Sequence, residues 1–548
     1  MAILLLIFSV FGSLVRASAR NSTILNPILP GFHPDPSCIF VPELDKTFFC
    51  VSSSFLAFPG IPVHASRDLQ NWNLVSNVLS RKEQLPGISN LSAQTGGLWA
   101  PSIRYHSGVI YVAATLVNDD KPFNVTSRWD NVIFTTTDPY DSSSWSDPIH
   151  FQFNGYDPTL FWDDNGQTYV VGAHYANIYP GIELSKINVT TGETSPQVGI
   201  WNGTGGITPE GPRLYKKDGY YYLVIAEGGT FLNHMSTIAR SRSLWGPYQS
   251  NPSNPILTNA NTSEYFQAVG HLDLFQDSRG SWWGVALSIR LNLETSAEPM
   301  GRETVLFPVT WNKHQWPVAS QVRGVMSTWP LEPEQGRLLR GTPISAPDEV
   351  DFMPGSKLPE HFSFWWAPDP SSYKVSPVGH PNSLRLMPST RNLTGSAVAS
   401  NPKSVTFLGR RQVDTLFRFS IVLSFSPVSI GDEAGISVFA ETGEHLDFGV
   451  VRLASSGSTA GVYFRLRGET KSTTKAQTFE VALPDEWKDT KLRLEIKAFN
   501  GTHYAFSAGS AAHESGIRTF GYAPYSALRP IFTGKFVPPI PTPKTRKS

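Results

Sequence analysis

The sequence predicts an all-β chain in two parts, a five-bladed β-propeller followed by a β-sandwich, from three observations. A strand–turn–strand unit rich in aromatic residues occurs five times in the first 290 residues. The units are spaced by roughly 50 to 65 residues, which leaves room for about four strands each, the content of one propeller blade. After Val318 the repeat stops, and strand-like alternating runs such as Phe417–Leu423 take over, the pattern of a sandwich.

The first unit pairs Cys38-Ile39-Phe40 with Phe48-Phe49-Cys50. In the second, Ile103-Arg104-Tyr105 turns at Ser107-Gly108 into Val109–Val112. The third runs from Leu160-Phe161-Trp162 through Asp163–Gly166 into Thr168–Val171. In the fourth, Arg213-Leu214-Tyr215 turns at Asp218-Gly219 into Tyr220–Leu223. The fifth takes Leu274-Phe275-Gln276 through Asp277–Gly280 into Trp282–Val285. Glycine- and aspartate-bearing turns between aromatic strands are hairpin signatures. Five unrelated hairpins in a sandwich are the alternative arrangement. The division expected is a signal segment over 1–19, the propeller over 25–325, a connector over 326–350, the sandwich over 351–537 and a Pro-rich basic tail over 538–548.

Composition narrows the function classes. At 548 residues the chain is too long for one ordinary core. Its formal net charge is zero, which argues against nucleic acid or an anionic membrane as partner. Aromatic residues make up 12% of the chain and charged residues 16%, a balance that suits both aromatic-lined concave surfaces and plain β cores. Ala2–Val15 is an uncharged apolar run followed by Arg16 and Ala17-Ser18-Ala19; it reads as a secretory signal and is too short to span a bilayer. Glycosylation sequons stand at Asn21, Asn90, Asn124, Asn188, Asn202, Asn261, Asn392 and Asn500, so a secreted, extracellular glycoprotein is expected. Cys38 and Cys50, the chain's two cysteines, lie on the two arms of one hairpin. They are either a disulfide or a pair of buried thiols.

Placing the units in register singles out the residue three positions before each first strand: Asp35, Ala100, Asp157, Glu210 and His271. Inner strands line the channel of a propeller, so these positions form a ring at one mouth. Asp35 stands between two prolines, in Gly31-Phe32-His33-Pro34-Asp35-Pro36-Ser37, on a stiff loop entering a strand. Carboxylates are rarely buried without a partner or a task, and pooling three raises the proton affinity of at least one. Glycoside hydrolysis needs two carboxyl groups across the scissile bond, and a third can keep the acid protonated by like-charge coupling.

On Asn26–Ser37, Gly97–Pro101, Tyr156-Asp157-Pro158, Pro209–Pro212, Gly270-His271 and Met300–Thr304, the propeller resembles glycoside hydrolase family 43. That family includes β-xylosidases, α-L-arabinofuranosidases and arabinanases. The resemblance implies Asp35 as general base, Glu210 as general acid, and Asp157 as the group that raises the pKa of Glu210 and orients it. It implies inversion at the anomeric carbon, with the two carboxyls about 6.5–9.5 Å apart. Arg302 resembles the arginine that reaches the sugar, with Arg290 as the competing candidate. Phe32 and Trp99 would be pocket-wall aromatics. His271 resembles a channel histidine that meets a metal ion or a water, so a structural calcium ion is one option and no cofactor is required. The chain departs from related xylosidases at Phe55–Gly60, where an acidic-aromatic pair is missing.

The second part resembles the lectin-like C-terminal domain of such enzymes, which packs on the propeller and shapes one pocket wall. Its ending differs, since Phe532–Val537 runs into Pro538-Pro539-Ile540-Pro541, and prolines do not fit a central strand. The expected activity is secreted, inverting removal of terminal pentosyl residues from plant cell-wall arabinoxylan or its oligosaccharides. An arabinanase-type enzyme and a non-catalytic sugar-binding propeller are the alternatives. A retaining fructosidase would need Asn-Asp-Pro-Asn and Glu-Cys motifs, where this chain has Pro-Asp-Pro-Ser and Glu-Gly-Pro.

Overall fold

A computed structural model describes residues 22–92, 94–175, 181–291, 298–331, 339–345, 349–388, 393, 405–455, 458–472, 478–512, 516–528, 535–537 and 539–542. The expected signal segment, Asn21 and Asn392 lie outside these residues. Among those described, no helix is long and apolar enough to cross a membrane.

The five repeats are five antiparallel sheets around one axis. Their inner strands are Ser37–Val41, Gly97–His106, Gly155–Trp162, Glu210–Lys217 and Phe266–Gln276, each followed outward by its own meander. Inner strands of successive blades touch, and the fifth returns to the first. The predicted turns close the hairpins: Ser107-Gly108 and Asp218-Gly219 each hold two successive left-handed residues, at φ 50° and 84° and at 54° and 75°. That geometry matches the twist of the strands they join.

The N-terminal segment closes the ring. Ser22–Leu25 pairs with Val325–Thr328. Asn26 then exchanges hydrogen bonds with the backbone of Leu306, and the His33 N–H donates to the Arg302 carbonyl at 3.0 Å. The expected connector is partly sheet as well, because Thr342–Pro343 adds a fifth strand to the first blade.

The second part is a sandwich. One sheet carries Phe417–Leu423, Leu492–Ala498, His503–Ser510 and Arg518–Pro524. The other runs from Phe479–Ala482 through Glu433–Glu441 and Phe362–Trp365 to Ala57–Phe58, a strand lent by the first blade. Between the sheets lies a core of Ile436, Phe448, Phe464, Ile496 and Phe506. A separate core runs without a break from the first two blades into Trp365, Trp366, Phe407 and Phe439.

Within the segment expected as a Pro-rich tail, the chain adds one more strand. Pro539–Thr542 pairs with Glu433–Ile436. Prolines at every second position put their missing N–H groups on one side of the strand, leaving those of Ile540 and Thr542 to face its partner.

Candidate active site

The ring of equivalent positions is real, with one correction. On four inner strands two residues oppose one on the neighbouring strand, at Ala100-Pro101, Asp157-Pro158, Gly211-Pro212 and His271-Leu272. The first residue of each pair is left-handed, at φ 37°, 56°, 58° and 57°, and Asp35 matches them at 55°. Such bulges re-aim side chains beside functional sites. The equivalent of Asp35 in the fourth blade is therefore Gly211, not Glu210. Glycine suits it twice, through its φ and because a Cβ there would lie 2.8 Å from the His271 ring. Glu210 stands one residue earlier, in register with Trp99 and Tyr156. All three carboxylates still converge: each of Asp35 and Asp157 acts electrostatically on Glu210, and Asp35 acts on Asp157.

Their surroundings differ. Asp35 is buried; its Oδ1 accepts from Arg302 Nη1 at 2.7 Å and its Oδ2 from Ser53 Oγ at 2.7 Å. Ser53 Oγ in turn accepts from the Ala100 N–H at 2.6 Å, tying the first blade to the second. Asp157 accepts from the Gly211 N–H at 2.9 Å. Burial, reinforced by the Asp35 charge, pushes its carboxyl up to about 7. Glu210 accepts from the Tyr156 hydroxyl at 3.2 Å. Burial and then the charges of Asp157 and Asp35 hold it well above the usual carboxylate range, against smaller opposing effects of Tyr156 and Arg302. The arrangement thus offers one carboxyl gripped by a guanidinium and a hydroxyl, and another that holds its proton more tightly than usual.

Beneath the ring a buried network braces all five blades. Asp273 meets Arg104 at 3.0 Å, the Tyr215 hydroxyl at 2.7 Å and Ser37. Burial opposes its ionisation, yet the Arg104 and Arg213 guanidinium groups hold it below the ordinary range. Arg213 also donates to Thr159 Oγ1 at 2.6 Å.

Aromatic rings link the base side to the acid side. Phe32 lies 5.6 Å from Phe55, Phe55 lies 5.8 Å from Trp99, and Trp99 meets Tyr156 edge-on at 6.4 Å. Phe32 and Trp99, the two aromatics expected at the pocket wall, both belong to this row of rings. Phe55, Ser53 and Tyr156 were not singled out by it. The loop that departs from related xylosidases supplies Phe55, with the Arg302 guanidinium 5.6 Å from its ring.

The two candidate arginines separate. Arg302 holds Asp35, whereas Arg290 is engaged with Glu303 through Nε at 2.6 Å and Nη2 at 2.7 Å. Arg290 is corrected to a supporting residue, because Glu303 Oε1 also accepts from the Gly31 N–H at 2.7 Å. Gly31 is gripped from the other side by the sandwich: at φ +80° a Cβ would lie 2.3 Å from the Gln412 carbonyl oxygen. The loop that carries Phe32 and Asp35 is thus clamped between the fifth blade and the second domain.

His271 is buried, with its pKa driven well down by burial and by Arg213 and Arg302. Its Nε2 has no hydrogen-bond partner within the protein. An imidazole nitrogen is by itself a poor calcium ligand, since calcium takes oxygen ligands. Among the described residues, no group of three or more His, Cys, Asp or Glu is arranged to hold a metal ion. Cys38 and Cys50 face each other across the first hairpin and form a disulfide.

A closed five-bladed propeller with three converging carboxylates at one mouth defines a glycoside hydrolase, and the comparisons agree. The profile of glycosyl hydrolases family 43 matches residues 24–317, and that of the beta xylosidase C-terminal concanavalin A-like domain matches 349–537. The chain belongs to glycosyl hydrolase family 43. It is 32% identical over 503 residues to a non-reducing end alpha-L-arabinofuranosidase of Bacteroides ovatus, covering 91% of this chain and 89% of that protein. It is 34% identical over 445 residues to a xylosidase/arabinosidase of Butyrivibrio fibrisolvens, covering 78% and 80%. Among solved structures, a xylan beta-1,4-xylosidase from Bacillus halodurans superposes with a TM-score of 0.81 at 28% identity, covering 96% of this chain and 98% of that one. The protein is a glycosidase of the β-xylosidase/α-L-arabinofuranosidase type, acting on pentosyl residues.

Proposed function

We propose that the protein is a secreted, inverting exo-glycosidase that removes terminal α-L-arabinofuranosyl or β-D-xylosyl residues from arabinoxylan or its oligosaccharides. The observation that carries this reading is the asymmetry between Asp35 and Glu210. Glu210, held protonated by burial and by its acidic neighbours, suits a general acid. Asp35, fixed by Arg302 and Ser53, suits a general base. In one step a water oxygen bonds to the anomeric carbon as its proton passes to Asp35. The bond from that carbon to the glycosidic oxygen breaks, and the departing oxygen takes the Glu210 proton. Asp157, close to both, keeps Glu210 loaded.

The substrate class is supported by the relatives, whose names carry both pentoses. Export is supported by the disulfide, a bond of oxidising compartments. It is supported too by the exposure of the sequon residues Asn90, Asn124, Asn188, Asn202, Asn261 and Asn500. Proton NMR of the first product formed from aryl β-xyloside and aryl α-arabinofuranoside tests the reading. The expected outcome is release of the α-xylose or β-arabinose anomer; release of the retained anomer excludes the water-activating role of Asp35.

A further inference from the structure

The rim of the fourth blade is unlike the wall beside Asp35. Phe32 and Phe55 are 1% and 3% exposed, whereas Ile207, Phe231 and Leu232 are 68%, 57% and 51% exposed. These three belong to two loops that flank Glu210. Glu210 pairs with Ala226 at the mouth end of that blade's first two strands. Residues 202–208 lead directly into the one and residues 228–234 continue from the other. The Gly228 N–H donates to the Ile207 carbonyl at 2.9 Å, and a Cβ on Gly229 would lie 3.4 Å from the Ile207 side chain. The second loop turns tightly, the His234 N–H donating to the Phe231 carbonyl at 2.9 Å.

A buried carboxylate fixes the first loop. Glu227 is fully buried and accepts from the Thr204 N–H at 2.9 Å, the Gly206 N–H at 3.0 Å, and the hydroxyls of Thr204 and Thr237 at 2.9 and 2.5 Å. Buried charges cost free energy unless fully satisfied, and this one is spent on holding a loop whose tip is an exposed isoleucine. Neither loop contains Asp, Glu, Lys or Arg between 202 and 208 or between 228 and 234. The exposed tips, Ile207, Phe231 and Leu232, are apolar and stand on loops without a charged side chain.

We propose that Ile207, Phe231 and Leu232 form the leaving-group subsite, a platform for the neutral xylopyranose ring that departs from the scissile bond. The inference rests on Glu210 being the general acid. Its proton goes to the glycosidic oxygen, so the departing ring lies beside Glu210 and against the loops that flank it. With either pentose as the terminal residue, the departing ring of an arabinoxylan fragment is xylose. The C–H face of that ring packs on an aromatic and two aliphatic side chains, and a surface free of charge does not favour an acidic sugar there.

The test compares Phe231→Ala and Phe231→Trp with the wild type, using xylotriose and arabinosyl-xylotriose as substrates and free arabinose as the inhibitor that reports on the terminal-sugar pocket. Phe231→Ala lowers kcat/KM on the oligosaccharides about five- to tenfold while the arabinose inhibition constant stays unchanged, and Phe231→Trp restores the loss. A wild type that turns over no pentoside overturns the reading of function itself. An active wild type whose oligosaccharide kcat/KM is untouched by Phe231→Ala, or whose arabinose inhibition falls in parallel, overturns the platform alone.

Discussion

Asp35 and Glu210 stand at the same mouth of the same propeller, yet the first blade and the fourth treat a carboxyl group in opposite ways. Asp35 sits on a loop clamped by Glu303 and Gln412, with both oxygens taken by Arg302 and Ser53. Glu210 has one phenol as partner and two acidic neighbours. The same chemical group is thus prepared for two tasks, to accept a proton and to give one, by its burial, its donors and its neighbouring charges.

The largest expected effect breaks this comparison directly. Asp35→Asn and Glu210→Gln each lower kcat on an oligosaccharide by about 10²–10⁴-fold. With a dinitrophenyl pentoside, whose leaving group needs no proton, Glu210→Gln recovers most of its activity and Asp35→Asn does not. Equal recovery of the two would remove the distinction between acid and base.

Next in size is Arg302→Lys, which replaces the guanidinium on Asp35. Losing a charge-assisted hydrogen bond of about 1.5–3 kcal/mol lowers kcat roughly ten- to hundredfold. Steady-state kinetics on an aryl pentoside checks this.

The pH profile sharpens the acid side. Glu210 works protonated, so activity falls as pH rises through its pKa. Asp157→Asn removes a charge that raises that pKa and moves the basic limb of kcat/KM to lower pH. Tyr156→Phe removes a hydrogen bond that lowers it and moves the limb to higher pH. Shifts in the same direction would contradict the arrangement.

The smallest effect is on stability. Folding raises the Asp157 pKa to about 7, so the native state binds this proton more tightly than the unfolded chain does. The stability this lends is complete below the unfolded value, about 4, and is lost as pH rises through 7. Thermal melts should therefore show Asp157→Asn raising Tm relative to the wild type at pH 8 and leaving it close to wild type at pH 4.

The blades were legible because a hairpin advertises itself locally, through turn residues such as Asp218-Gly219 between aromatic strands. The convergence of Asp35 and Asp157 followed from that repeat. Glu210 was found one register step off, because the fourth unit was begun at Arg213, which matches Thr159 rather than Leu160, and the signal for it lay in Gly211-Pro212 matching Asp157-Pro158. Ser53 and Tyr156 were missed as partners, since a serine in Ser52-Ser53-Ser54 or a tyrosine in an aromatic-rich chain carries no mark of what it will touch. Arg290 and Arg302 look alike in sequence; only the pleat decides which reaches Asp35. The closing prolines did not announce a strand, because sequence does not say whether a strand is central or at an edge.

The apolar core shared by the first two blades and Trp365, Trp366, Phe407 and Phe439, with the strand Ala57–Phe58 lent to the second domain's sheet, bears on how the protein can be taken apart. Two modules that share a strand and bury tryptophans in common melt as one unit, so calorimetry should give a single endotherm. A chain cut after residue 348 would leave a sticky, unfilled flank on the first blade, a few residues from the loop that carries Asp35. Grafting the second domain from another enzyme would then be an active-site substitution, made without touching an active-site residue.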